Sequence, residues 1–202
     1  MIEIKNNKGN VLLKIDAKTL RGADFSSKNL KGAVFKGMDL VESNFNNANL
    51  HGANFSEADL ENATMQSANL DKANFKKANL VSAKLQNSDL IKATFNEAYM
   101  KYVMLDGADL TTTDFIGAYM HTVSMKNCHA KHANFSNANL KNANFTSADL
   151  EGASLRIAIL RNVNFKKAIL LNADLSYSDL RGADFVDANL TDADIEGTLL
   201  EK

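Results

Sequence analysis

The chain has 202 residues and a formal net charge of −1, so no global field draws it to nucleic acid or to a membrane surface. Proline and tryptophan are absent, and Cys128 is the one cysteine, which excludes an internal disulfide and suits a reducing, cytoplasmic setting. No apolar run approaches the ~18 residues of a membrane span, and the N-terminus lacks the basic start and long apolar core of a signal peptide.

Residues 2–15 read as a short hairpin. Ile2 and Ile4 alternate with polar residues, Asn6–Asn10 make a turn, and Val11, Leu13 and Ile15 alternate again. The expected organisation is a hairpin cap over 1–17 and a repeat region over 18–202, together forming one domain.

From Leu20 to Leu200 the chain counts in fives. Every residue whose number ends in 0 or 5 is Leu, Phe, Met or Ile, with Ala130 the one exception. Two residues earlier sits a small residue, usually Ala, and the residue in between is usually Asp or Asn. Such self-similarity at a fixed period is the signature of a repeat architecture. A helix cannot use it, because five residues at ~100° each walk successive Leu residues around the cylinder. A flat strand cannot use it either, because five is odd and side chains alternate. The pattern works if the chain turns a corner every five residues, so that four corners close a square coil of twenty residues. Nine of the ten glycines fall two residues after a marked position, and Asn is common in the same slot. Type II turns need positive φ at their third residue, which Gly and Asn tolerate best. About nine coils, each stacked on the last at ~4.8 Å like parallel strands, make a rod on the order of 40 Å long.

These A(D/N)LXX repeats resemble the pentapeptide repeat family over some nine-tenths of the chain. The resemblance implies an all-β fold, a right-handed quadrilateral parallel β-helix. It also implies a choice of functions, because some members mimic DNA and bind DNA gyrase or topoisomerase IV, and some are homodimers through their C-terminal coil.

Residues twenty apart stack coil over coil. Tyr99 and Tyr119 therefore share a column, with Tyr102 expected on the same face and His121 beside them. Clustered surface tyrosines suit a protein interface, or an aromatic ladder that stabilises the sheet face. Ala130 leaves a gap among the large inward residues, which Val103, Val123, Met125 and Cys128 are expected to refill. Cys128 is expected inside, and His129 and His132 outside, so the three diverge and no metal site is expected. Ile157, Ile159, Ile169 and Leu171 replace polar residues of the motif and read as one apolar patch.

The C-terminal segment 171–202 is acidic. Asp174, Asp179, Asp184, Asp187, Asp192, Asp194, Glu196 and Glu201 outweigh Arg181 and Lys202 by six charges. Elsewhere Lys72, Lys76, Lys77, Arg161, Lys166 and Lys167 form short basic clusters, interrupted by Asp, which read as solvated faces. Leu199 and Leu200 lie near an open coil edge, which reads either as a frayed terminus or as the contact of a homodimer.

No phosphate-binding glycine loop, nucleophile elbow or HExxH motif is present. The expected function is a non-enzymatic scaffold that binds a protein, with no cofactor and with no direct nucleic-acid or membrane partner. The alternative is a DNA mimic directed at a type II topoisomerase, which demands acidity along the rod because B-DNA carries one charge per ~1.7 Å.

Overall fold

The computed structural model describes residues 1–200; Glu201 and Lys202, counted above in the acidic segment, lie outside the described residues. Strands β1 (Ile2–Lys5) and β2 (Val11–Ile15) pair antiparallel, with Ile2 opposite Ile15 and Ile4 opposite Leu13. Asn6 then bridges Ala33 antiparallel, the Val34 N–H donates to the Lys5 carbonyl at 2.8 Å, and the Asn7 N–H donates to Gly32 at 3.1 Å. The hairpin thus covers the first coil. Ile4 is fully buried, and Ile2, Leu12, Leu13 and Ile15 pack on the core below.

Beyond the hairpin the chain is a right-handed quadrilateral β-helix of about nine coils. Each coil places one short bridge on each of four faces, and every bridge is parallel to its equivalent twenty residues on. Face I holds residues 98–100, face II 103–105, face III 108–110 and face IV 113–115, each with its equivalents at twenty-residue steps. The two residues between successive faces form a corner.

The corners close with a hydrogen bond from the residue three positions on, as in Ala53 N–H to the Leu50 carbonyl at 2.9 Å. The residue at the third turn position has positive φ at every corner from Gly22 to Gly197. Gly and Asn are therefore not required there: Lys, Glu, Ser, Thr, Tyr102 and Ile157 all adopt φ near +60°. Lateral bonding holds them, since the N–H of the positive-φ residue at every corner from Gly22 to Tyr177 also donates to the next coil, as Tyr102 does to His121 at 3.4 Å. Where Asp or Asn precedes the large residue, it commonly has a turn role of its own. Asn54 Oδ1 accepts the Ser56 N–H at 3.0 Å and Asp109 Oδ1 accepts that of Thr111 at 3.0 Å, an Asx turn that satisfies a donor the ladder leaves free.

The core is the inside of the coil. Phe35, Phe55, Phe75, Phe95, Phe115 and Phe135 stack in one file with centroids 4.7–5.0 Å apart, which matches the coil rise. Each buried ring of this size contributes about 1.5–3 kcal/mol of hydrophobic stabilisation. The alanines between the files are buried because the coil is narrow. Ala130 is buried, as are Val103, Val123, Met125 and Cys128, and Met120 and Met125 share its coil. Flexible methionines suit an irregular gap. Among the described residues no helix is long and apolar enough to cross a membrane.

Candidate functional site

The fold sorts the exposed side chains into columns. Tyr99 and Tyr119 bridge each other on face I, their rings stacked at 5.0 Å and 6°. Both are about half exposed, at 53% and 47%. Tyr102 sits at the corner between faces I and II rather than on the flat face, with the Lys101 ammonium 4.6 Å from its ring centroid. Ile116, at the corner entering face I, and Met104 on face II are exposed beside them. The motif hid these two, because each looks like an ordinary variable position until the coil is closed.

Ile159 lies further along the same column, after Asn139. Ile157 is at the adjoining corner, and Tyr177 stands one coil above it with the Arg156 guanidinium 4.6 Å over its ring. All four tyrosines of the chain therefore lie on face I or its two corners. Tyr177 was the one the sequence pattern left out, and its twenty-residue offset from Ile157 was the signal.

Ile169 and Leu171 do not join this group. Ile169 bridges Asp149 on face III, and Leu171 is at the corner beyond it. Ten residues is half a coil, so the single apolar patch read from the sequence is split between opposite faces. Leu199 is likewise separated from Leu200. Leu199 bridges Asp179 and points outward on face I, whereas Leu200 occupies an inward slot.

The C-terminal end itself is a shallow apolar depression of about 220 Å³ lined by Leu180, Phe185, Leu190, Ile195 and Leu200. Ile195 and Leu200 are more than half exposed, at 53% and 59%, although their equivalents in earlier coils are buried. The backbone N–H groups of Phe185, Leu190 and Ile195 find no acceptor among the described residues. Asp187, Asp192 and Glu196 stand on the rim.

The charges of the acidic segment are partly paired. Asp179 binds both Arg161 and Arg181, and Asp184 binds Lys166 at 3.1 Å. The N–H of Val186 and the Lys166 ammonium hold the Asp184 carboxyl below the usual carboxylate range. Asp174 and Asp194 are neighbours on face IV. No column among the described residues carries more than two acids in succession. The basic clusters are paired too: Lys72 with Asp71, and Lys76 and Lys77 with Glu97.

Cys128 is buried in an alanine slot, and burial pushes its thiol up to about 12. His129 and His132 are exposed. Among the described residues no group of three His, Cys, Asp or Glu side chains is placed to hold a metal ion.

A family model described as "Pentapeptide repeat region" matches residues 39–115 and 98–167, and one described as "Pentapeptide repeats (8 copies)" matches 19–56 and 158–197. No curated protein matches the chain. Among solved structures, HetL, a pentapeptide repeat protein involved in heterocyst differentiation regulation in the cyanobacterium Nostoc sp. strain PCC 7120, is similar in fold. It is 22% identical, with 91% of each chain covered and a TM-score of 0.62. A pentapeptide repeat protein of the Arabidopsis thaliana thylakoid lumen is 30% identical over 61% of this chain and 69% of that one, with a TM-score of 0.39. A trypsin-treated QnrB1, a plasmid-mediated fluoroquinolone resistance protein, is 20% identical over 89% and 87%, with a TM-score of 0.38. The repeat register, the four-faced coil and the two family models agree: this chain belongs to the pentapeptide repeat family.

Proposed function

We propose that the protein is a non-catalytic, rigid scaffold that binds another protein through face I and its two corners. One observation carries this reading. Tyr99, Tyr119 and Ile159 occupy slots where Asp or Asn elsewhere closes an Asx turn, and the N–H groups of Lys101, His121 and Arg161 go without that acceptor. Each lost bond forgoes about 1 kcal/mol of stability. The aromatic and apolar side chains put there instead are half exposed, so their burial in the monomer does not offset the loss. Contact with a partner does, and tyrosine is enriched in the buried centres of protein interfaces. Ile169 and Leu171 belong to a separate and smaller surface on the other side of the rod.

The test is site-directed photo-crosslinking in the native cell extract. A photoreactive phenylalanine analogue in place of Tyr102 is expected to yield a discrete protein adduct, and the same analogue at Thr112, on the opposite corner, is expected to yield none. Equal labelling from both positions, or none from either, overturns the reading.

DNA mimicry toward DNA gyrase or topoisomerase IV is the weaker reading, because the acids lie in short separated pairs rather than in a stripe along the rod. A supercoiling assay with and without a quinolone tests it directly. A cytoplasmic setting is part of the proposal and is supported by a single, buried cysteine.

A further inference from the structure

On the face II side of Tyr99, Tyr102 and Tyr119 the columns are free of acid over five coils, whereas Glu97 and Glu196 stand at the other corner of face I. Segments 78–84, 98–104, 118–124, 138–144 and 158–164 span face I, its corner with face II, and face II over five successive coils. In a chain with 24 acidic residues they contain no Asp or Glu. They do contain Lys84, Lys101, Lys141 and Arg161, three of them stacked in the corner column with His121 between Lys101 and Lys141. Lys84 and Lys141 form no ion pair among the described residues, and Arg161 and Arg181 share the one carboxylate of Asp179 beyond the upper end. Of the lysines picked out as sequence clusters, Lys72, Lys76, Lys77 and Lys166 are paired with acids, whereas Lys84, Lys101 and Lys141 of the stripe have no such partner among the described residues.

We propose that this stripe binds an acidic, extended protein segment laid along the rod. The inference rests on the protein-binding reading above and gives the partner its chemistry. Charge complementarity favours it, and the aromatic geometry favours a carboxylate over a nucleobase. The Tyr99 and Tyr119 rings stack on each other and Lys101 covers a face of Tyr102. A base needs a free ring face to stack on. The stacked faces and the cation-covered face are closed to a base, and the phenol hydroxyls are donors that suit carboxylate oxygens. Asn139 on face I and Asn142 at the corner add amide donors beside the column, while the Asn162 amide donates to Asn142. From Lys101 to Arg161 the column climbs three coils, about 14 Å at ~4.8 Å each, the reach of about four residues of extended peptide.

The probe is a fluorescein-labelled decaglutamate peptide, followed by anisotropy at low and moderate salt. Saturable binding is expected, weakening as salt rises. The double variant Lys101→Glu with Lys141→Glu is expected to weaken it by about tenfold or more. Lys72→Glu with Lys92→Glu, on the diagonally opposite corner, is expected to leave it within about twofold. Circular dichroism and melting confirm that each variant folds. Absence of saturable binding, or equal loss in both doubles, overturns the inference. Tighter binding of a labelled ten-nucleotide oligo(dT) with the same lysine dependence also overturns it and assigns the stripe to nucleic acid. If decaglutamate fails while the Tyr102 position still crosslinks a protein, only the acidic chemistry is lost. If both fail, the scaffold reading falls with it.

Discussion

The phenol rings of Tyr99 and Tyr119 lie 5.0 Å apart and within 6° of parallel, one coil above the other on face I. The pair replaces two Asx turns with one exposed aromatic stack. Tyr99→Asn with Tyr119→Asn restores the turn chemistry, returning an acceptor to the Lys101 and His121 N–H groups. The stack is worth about 0.5–1.5 kcal/mol and each regained bond about 1 kcal/mol. The double variant is therefore expected to melt about 1–6 °C above the parent. It is also expected to lose the crosslinked adduct from position 102. A large fall in melting temperature with the adduct retained would show that the stack serves the fold and not a partner.

Phe135 is fully buried, 4.8 Å from Phe115 in its file and 5.7 Å from Phe145 at 83°. Phe135→Asp puts an unpaired carboxyl where no hydrogen-bond partner exists and removes both ring contacts. The penalty is several kcal/mol, a large share of the ~5–15 kcal/mol that holds a typical domain together. Loss of the β-sheet circular dichroism signal is the expected result, and its retention would refute the inward assignment.

Ile157 holds φ at +59°, a left-handed conformation that crowds a β-branched side chain. The cost is roughly 1–2 kcal/mol. Asn is the commoner residue at this slot, so Ile157→Asn is expected to raise the melting temperature by about 2–4 °C per kcal/mol recovered. A lower melting temperature would mean that the exposed Ile157 side chain packs in the monomer by more than its backbone strain.

The buried thiol of Cys128 gives a pH signature. Its value rises to about 12 in the folded protein, chiefly because burial disfavours the thiolate. An unfolded cysteine ionises near ~8.5. Above that pH the unfolded chain releases a proton that the folded chain keeps, so this group lowers stability as pH climbs from ~8.5 toward about 12. At pH 8 the native protein is expected to resist a thiol reagent and to react once in guanidinium. Rapid labelling of the native state would place Cys128 outside the core.

The apolar end formed by Phe185, Leu190, Ile195 and Leu200 is the surface on which a second copy would meet the first. Self-association there predicts a light-scattering mass of twice the chain that Ile195→Asp returns to a single chain. Because Asp187, Asp192 and Glu196 would repel their copies, such self-association is expected to strengthen as salt rises. A parent protein that scatters as one chain at every salt concentration rules the contact out. Leu199→Asp is expected to have the smaller effect, because Leu199 points away from the depression.

The five-residue period by itself determined which side chains point inward and how many residues close a coil, and the two-residue alternation in Ile2–Ile15 determined the hairpin. That information is local: a corner every fifth residue leaves one way to bury Leu, Phe and Ala together. Only the tertiary structure decided which outward residues are neighbours, because that depends on what lies one coil away. Twenty residues of separation bring Tyr99 to Tyr119 and Ile157 to Tyr177, while ten put Ile159 and Ile169 on opposite faces. The same lateral bonding holds Lys, Tyr and Ile in a corner conformation that their own preferences oppose. The acid-free stripe from Lys84 to Arg161 is spread through the chain and becomes a surface only when the coils stack. At the C-terminal end the inward pattern continues through Ile195 and Leu200, yet both are exposed, because a solenoid residue is buried by the coil above it as much as by its own.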